Sequence, residues 1–177
     1  MSKNVLILAG SPRKGGNSDI LCDAFKQGAE EAGHKVEKIW LQGKKINYCL
    51  ACYSCKTAGQ CFQKDDANEI IAKMLAADVI VLATPVYFYS MSGQMKTLID
   101  RSVSKWTEIN NKEFYFIATA AEEKPSMERT MEALAGFTDC LTGAVVKGKI
   151  YGGGVYEKGE VKNTPAVEEA YKMGQNI

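Results

Sequence analysis

Histidine is nearly absent from this chain, which carries a single one, His34, among 177 residues. His34 follows Gly33 in a stretch typical of a turn, so we expect it to be solvated. Neither a Ser-His-Asp nor a Cys-His catalytic arrangement can be assembled from one histidine placed there. The sequence therefore excludes enzymes that depend on such a histidine.

An excess of charge and a long hydrophobic segment are also missing. The 22 basic and 21 acidic residues give a net charge of +1, and without a basic run no nucleic-acid partner is expected. The first apolar run, Val5 to Ala9, is far shorter than the ~20 residues of a membrane span, and no signal-peptide cleavage site follows it. We therefore expect no membrane partner and a cytoplasmic location, where thiols are mostly kept reduced.

Five apolar or mixed runs predict an α/β fold. The continuous runs Val5 to Ala9, Val79 to Ala83 and Phe114 to Ala118 suit parallel strands that are buried on both faces. The mixed runs Val36 to Leu41 and Ala144 to Tyr151 suit edge strands. This arrangement predicts a flavodoxin-like, doubly wound, five-stranded parallel sheet of order 2-1-3-4-5, with helices on both faces.

Capping residues mark helix starts between these strands. We predict helices that begin at Asn17 or Ser18, at Asp66, near Ser92, near Ser126 and at Thr164. The helix that begins near Ser92 is expected to carry Val103 on its apolar face. Asp65 and Asp66 are interpreted as capping residues. No repeat, low-complexity tract or linker interrupts the pattern, so residues 1–177 are expected to form one domain. One connection, residues 42–64 before the second helix, greatly exceeds the ~2–6 residues usual in α/β units, and such long loops tend to be functional.

Four of the six cysteines lie in this loop. They form a C-x2-C-x2-C-x5-C run: Cys49, Cys52, Cys55 and Cys61. The spacing allows four thiolates to converge, as an iron–sulfur cluster requires. Zinc is an alternative, although structural zinc sites usually pair two separated C-x2–4-C units. A redox disulfide, or thiols without a shared role, are the other interpretations left open. Cys22 and Cys140 are predicted to pack in helices.

The segment after the first strand, Gly10 to Ser18, predicts a phosphate site. It is rich in glycine and hydroxyl groups and leads into a helix N-terminus, where free N–H groups and the helix dipole favour anions. Arg13 adds a planar cationic donor. Gly16 and Asn17 stand where a P-loop has lysine and a hydroxyl residue, and G-x-G-x-x-G is missing. Neither nucleotide hydrolysis nor a dinucleotide site is therefore favoured.

The segment after the third strand contains three consecutive aromatic residues, Tyr87, Phe88 and Tyr89, shortly after Pro85. A flat ring system could stack against such side chains. In a sheet of order 2-1-3-4-5 the first and third strands flank the switch point where ligands bind. The phosphate and aromatic segments are therefore expected to face one crevice.

Together these motifs resemble the NAD(P)H-dependent FMN reductase superfamily. Ala9–Arg13 and Gly15–Ser18 are similar to its phosphate loop, and Thr84–Tyr87 and Gly93–Lys96 to its flavin loop and the following helix. The cysteine run, followed by Lys64-Asp65-Asp66, resembles that of the iron–sulfur flavoprotein branch. The similarity extends over nearly the whole chain.

The resemblance implies an FMN cofactor and one [4Fe–4S] cluster near it. The implied FMN residues are Ser11, Arg13, Gly15, Asn17 and Ser18 on the phosphate side, and Pro85, Val86, Tyr87, Phe88 and Thr119 around the ring system. The implied cluster ligands are Cys49, Cys52, Cys55 and Cys61. The family also implies homodimers or homotetramers whose subunits complete one another's flavin sites.

The implied function is electron transfer by an FMN-dependent NAD(P)H oxidoreductase. Electrons would pass from NAD(P)H or a ferredoxin-type donor to a small acceptor, with no protein side chain acting as general acid or base. Three alternatives remain: a cluster-free NAD(P)H:FMN or quinone reductase, a flavodoxin-type carrier without enzymatic turnover, and a zinc-loop binding module. Flavodoxin-type carriers are usually strongly acidic, whereas this chain is near neutral.

Overall fold

The computed structural model describes residues 1–177. Its strands are β1 (Asn4–Ala9), β2 (Lys35–Trp40), β3 (Val79–Pro85), β4 (Glu113–Thr119) and β5 (Val145–Gly152). They form one sheet of order β2-β1-β3-β4-β5 in which every neighbouring pair is parallel. Burial alternates along β2 and β5 but is nearly continuous along the other three. The flavodoxin-like order and the edge strands are therefore confirmed.

Helices cover both faces of the sheet. They are α1 (Asn17–Glu31), α2 (Cys55–Ala58), α3 (Ala67–Ala76), α4 (Gly93–Arg101), α5 (Lys124–Asp139) and α6 (Ala166–Gln175). The apolar side chains of α1 and α6 share one core with the sheet, and those of α3, α4 and α5 share a second core on the opposite face. None of the helices combines the length and the apolar character that crossing a bilayer requires.

α5 begins at Lys124, close to the predicted start near Ser126, and Pro125 is well suited to the first turn of a helix. Two other local predictions about the helices are wrong. α4 ends before Val103, so this residue lies in a 3-10 turn with its side chain exposed instead of packing on the helix face. Cys140 caps the end of α5 and is exposed rather than packed.

Two glycines allow α1 and α6 to cross in direct backbone contact. A Cβ atom on Gly28 would lie 2.1 Å from the carbonyl oxygen of Tyr171. A Cβ atom on Gly174 would lie 2.1 Å from the carbonyl oxygen of Phe25. No side chain can occupy either space, so glycine at these positions fixes how closely α6 approaches α1.

Candidate functional site

The loops that follow β1, β3 and β4 enclose a cavity of about 180 Å³ at the carboxyl edge of the sheet, together with the loop after β5. Eight of the ten predicted FMN residues line this flavin cavity: Ser11, Arg13, Asn17, Ser18, Pro85, Val86, Tyr87 and Thr119. Gly15 and Phe88 are outside the lining. The topological switch point therefore brings together segments that are far apart in sequence.

The phosphate loop presents unpaired donors at the start of α1. The hydroxyl of Ser18 is buried and has no hydrogen-bond partner, and the N–H groups of Asn17 and Ser18 donate to no other group of the chain. Buried polar groups are normally paired. Gly16 packs so closely that a Cβ atom there would lie 2.9 Å from the Arg13 carbonyl oxygen. This set of donors fits a phosphate group at a helix N-terminus.

Asp19 holds the turn of the phosphate loop in place. Gly15 has φ +67°, a left-handed conformation that favours glycine, and its N–H donates to the buried Asp19 carboxylate at 2.7 Å. Lys38 also donates to Asp19, at 2.8 Å, and contacts Asp23. Burial opposes the charge of Lys38, but the hydrogen bonds to the two carboxylates outweigh it, so the pKa of Lys38 is raised.

The segment 156–161 after β5 is bound to the phosphate loop by two side chains. Arg13 donates to the carbonyl oxygen of Tyr156 at 3.2 Å. The Asn17 amide donates to the Glu157 carbonyl oxygen at 2.9 Å and accepts from the N–H groups of Gly159 and Val161. Asn17, predicted as a phosphate residue, thus forms a clasp with this segment in the structure.

The aromatic segment makes a tight turn at the mouth of the flavin cavity. Tyr87 and Ser90 exchange backbone hydrogen bonds of 2.9 and 3.0 Å. Phe88 and Tyr89 between them have φ of 50° and 59°, which is uncommon for residues other than glycine. The turn leaves Phe88 fully exposed, whereas Val86 is fixed by a 2.8 Å hydrogen bond to the Thr119 carbonyl oxygen.

Ser92 and Trp40 tie the neighbouring elements to the phosphate loop. The Ser92 hydroxyl accepts from the N–H of Met95 as the N-cap of α4 and donates to the Gly10 carbonyl oxygen at 2.8 Å. The indole N–H of Trp40, at the end of β2, donates to the Ser11 carbonyl oxygen at 2.7 Å. No pattern in the sequence indicates this role for Trp40.

A second cavity, of about 660 Å³, lies between the cysteine loop and the C-terminal ends of α4 and α5. All four clustered cysteines line this cysteine cavity: Cys49, Cys52, Cys55 and Cys61. Cys140 and Trp106 line it as well. No three cysteine, histidine, aspartate or glutamate side chains of the chain are grouped as metal ligands in the structure. The fold thus brings the four cysteines to one cavity, but their side chains are not grouped as metal ligands in this structure.

The backbone of the cysteine loop leaves its donors free. The N–H groups of residues 48–54 donate to no backbone carbonyl of the chain. Within this stretch Ala51 and Tyr53 have φ of 51° and 59°, whereas their neighbours have negative φ. Backbones that alternate in this way form concave nests of N–H groups that bind anions, including iron–sulfur clusters. Hydrogen bonds with Ser54 also lower the pKa of the Cys52 thiol.

A buried ion pair anchors both ends of the cysteine loop. Arg101 donates to Asp65 at 2.6 and 3.1 Å and to the Asn47 carbonyl oxygen at 2.8 Å. Asp65 also accepts from the N–H groups of Asn47 and Ala67. Burial alone would raise the pKa of Asp65, but these hydrogen bonds outweigh it and the pKa is lowered. Capping therefore accounts for only one of the contacts of Asp65.

Residues 3–155 match the model of a protein family described as NADPH-dependent FMN reductase. The chain belongs to this family. An iron-sulfur flavoprotein from Archaeoglobus fulgidus is 44% identical over 94 residues, which cover 53% of this chain and 43% of that protein. An iron-sulfur flavoprotein from Methanocaldococcus jannaschii is 36% identical over 135 residues, or 75% of this chain and 70% of that protein. The matched part of the chain thus spans 43% and 70% of the lengths of these two relatives.

Solved structures similar to this FMN reductase family member share its fold. An NAD(P)H:quinone oxidoreductase from Methanothermobacter marburgensis superposes with a TM-score of 0.79 over 99% of this chain and 96% of that chain, at 18% identity. An azoreductase from Bacillus anthracis superposes with a TM-score of 0.78 over the full length of both chains, at 20% identity. The family model and the relatives confirm the predicted superfamily and its iron–sulfur flavoprotein branch.

Some residues that line the two cavities of this FMN reductase family member were not predicted from the sequence. One signal for Arg101 existed, because it lies three residues after Leu98 on the buried face of α4, where a charged residue requires a partner. For Val155 and Tyr156, which line the flavin cavity, the sequence offers no signal. The Val155 N–H donates to the Ala120 carbonyl oxygen at 2.9 Å, and the Tyr156 carbonyl oxygen accepts from Arg13; both partners are distant in sequence.

Proposed function

We propose that this protein is an FMN-dependent oxidoreductase that carries electrons from a reduced donor to a small acceptor. The single observation that carries this proposal is the flavin cavity, in which an unpaired, buried Ser18 hydroxyl and a helix N-terminus meet the segment after β3. FMN, when bound, accepts a hydride or one or two electrons and passes them on. The chain's own residues bind and orient it.

The phosphate of FMN fits the donors at the start of α1. The Ser18 hydroxyl and the free N–H groups of Asn17 and Ser18 would donate to its oxygens, and the Arg13 guanidinium would balance its charge. Pro85 to Tyr87 line the same cavity and would bound the ring system. No side chain is assigned as a general acid or base.

We also propose that Cys49, Cys52, Cys55 and Cys61 hold a [4Fe–4S] cluster. Four thiolates in one loop are the donor set that such clusters use, and the N–H groups of residues 48–53, which donate to no backbone carbonyl, suit an anionic group. The names of several relatives, iron-sulfur flavoproteins, support the same assignment. Bound there, the cluster would supply one-electron transfer to or from a partner.

NAD(P)H or a ferredoxin-type protein is the proposed donor, and a small molecule is the proposed acceptor. The family description supports a nicotinamide donor, and the names of similar structures include a quinone oxidoreductase and azoreductases. A homodimer or homotetramer in the cytoplasm completes the proposal. The exposed aromatic turn at Tyr87–Tyr89 is available for contact with a second subunit.

The test is an ultraviolet–visible spectrum of protein purified without oxygen, with iron and FMN assayed on the same sample. Flavin bands on a broad shoulder that dithionite bleaches, with about four irons per FMN, are expected. Flavin bands without iron would favour a cluster-free reductase, for which the relative named as a putative NAD(P)H-dependent FMN-containing oxidoreductase of Bacillus subtilis is the supporting observation. A colourless sample that takes up no FMN would overturn the proposal.

A further inference from the structure

A buried arginine forms part of the wall of the cysteine cavity. Arg101 is 1% exposed, yet it lines the same space as the four clustered cysteines. Because a guanidinium is always charged, it is costly to bury without partners. Its place in the last turn of α4 offers partial compensation, since helix C-termini favour cations.

The ion pair with Asp65 uses only part of the guanidinium. Nη1 and Nη2 donate to Asp65, and Nη1 also donates to Asn47. Nε is buried and has no hydrogen-bond partner. Cys61 lines the same cavity as Arg101. An ion pair that served the fold alone would not require an unpaired donor in the wall of the cavity that the cysteines line.

We propose that Arg101 is a positioning residue for the anionic group held by the cysteines, an inference that rests on the proposed cluster. The hydrogen bonds of its guanidinium hold Asn47 and Asp65, which lie on either side of the cysteine run. Its charge lies in the wall of the cavity that Cys61 also lines, and its Nε donor is free. Positive charge and hydrogen bonds near cluster sulfurs favour the reduced state. Arg101 therefore retains the cluster and raises its reduction potential.

The experiment compares full-length proteins purified without oxygen. Arg101→Met removes the charge and the hydrogen-bond donors, whereas Arg101→Lys keeps the charge but loses the planar, bidentate guanidinium. Release of iron to a chelator is expected to be about tenfold faster or more for Arg101→Met, as for other residues that support metal ligands. Its cluster potential in a redox titration is expected to fall. Arg101→Lys is expected to release iron faster than the wild type but to keep a potential close to it.

Two further variants separate this role from a merely structural one. Arg129 is exposed and lies over the ring of Tyr89, so Arg129→Met is the matched control and should leave iron release and potential unchanged. Because Arg101→Met leaves Asp65 unpaired, which is strongly destabilising in a buried pair, the double variant Asp65→Asn/Arg101→Met is also measured. The double variant should have the same lowered cluster reduction potential as Arg101→Met, even where its folding stability returns towards that of the wild type.

The outcomes distinguish the inference from the proposed function. In one outcome the wild-type protein contains iron, but the rate of iron release and the cluster potential are unchanged in Arg101→Met or in the double variant. This outcome would overturn the role of Arg101 and leave the cluster assignment intact. An equal effect of Arg129→Met would also overturn it. Wild-type protein with FMN but no iron would overturn the cluster assignment, and the role of Arg101 with it.

Discussion

Arg13 is the charged residue that most directly faces the flavin cavity from the phosphate loop. Arg13→Ala should weaken FMN binding about 10- to 100-fold, because a hydrogen bond to a charged group contributes about 1.5–3 kcal/mol. The dissociation constant of FMN from the apoprotein is the measurement. Lys14→Ala is the matched control, since Lys14 is exposed on the same loop and does not line the cavity. Equal affinities of Arg13→Ala and wild type would refute the phosphate assignment.

Cys55 lies in the middle of the cysteine run and begins α2. Cys55→Ala should remove iron and spare FMN, because a cluster of this type needs four thiolates and the flavin cavity is lined by other residues. Iron and FMN are assayed per chain. Cys140→Ala is the control, since Cys140 lines the same cavity outside the run. Full iron content in Cys55→Ala would exclude this residue as a ligand.

Which residues line each cavity could be predicted only in part. Ser11, Arg13 and Ser18 could be recognised because a glycine-rich turn before a helix forms an anion site from residues that are close in sequence. The clasp of Asn17 could not be, because its partners lie about 140 residues further along the chain. For the same reason Asp65 could be interpreted only as a local cap, although it pairs with Arg101.

At the scale of elements, the crossing of α1 and α6 depends on backbone contact. Gly28→Ala should destabilise the protein by about 1–3 kcal/mol or more, because overpacking of a tight contact costs that much and the new methyl would overlap the Tyr171 carbonyl. Urea unfolding of the two proteins measures the difference. A wild-type midpoint for Gly28→Ala would mean that the helices do not cross this closely.

Gly136 in α5 is the matched control for that substitution. It is exposed, and a Cβ atom there would meet nothing within 4 Å. Gly136→Ala should therefore stabilise the protein by about 0.5–1 kcal/mol, the usual gain from replacing glycine in a helix. The two substitutions are chemically identical, so their opposite signs would isolate the effect of the helix contact.

The elements themselves were largely predictable, and their ends less so. Continuous apolar runs identified β1, β3 and β4 because strands buried on both faces have few polar positions. The short helix α2 was not predicted, since four residues are too few to show a periodic pattern. The end of α4 was misjudged because Val103 continues the apolar spacing after the helix has stopped.

At the scale of the whole molecule, ligand binding should be visible in stability. FMN at about 100 times its dissociation constant should stabilise the folded state by about 2.7 kcal/mol, which corresponds to a rise in Tm of roughly 5–10 °C for a chain of this size. Differential scanning calorimetry of the apoprotein is the measurement. Riboflavin, which lacks the phosphate, is the matched control and should raise Tm less at the same concentration. Equal shifts would mean that the phosphate loop does not recognise phosphate.

The two tryptophans of the chain stand at different cavities. Trp40 is hydrogen-bonded to Ser11 in the phosphate loop, and Trp106 lines the cysteine cavity. Flavins absorb light at the wavelengths where indole emits, so Trp40 becomes an internal fluorophore that should dim as FMN enters. With Trp106→Phe the remaining emission would follow the flavin, and with Trp40→Phe it would follow the cysteine loop. The chain thus contains one optical probe for each cavity, without any added label.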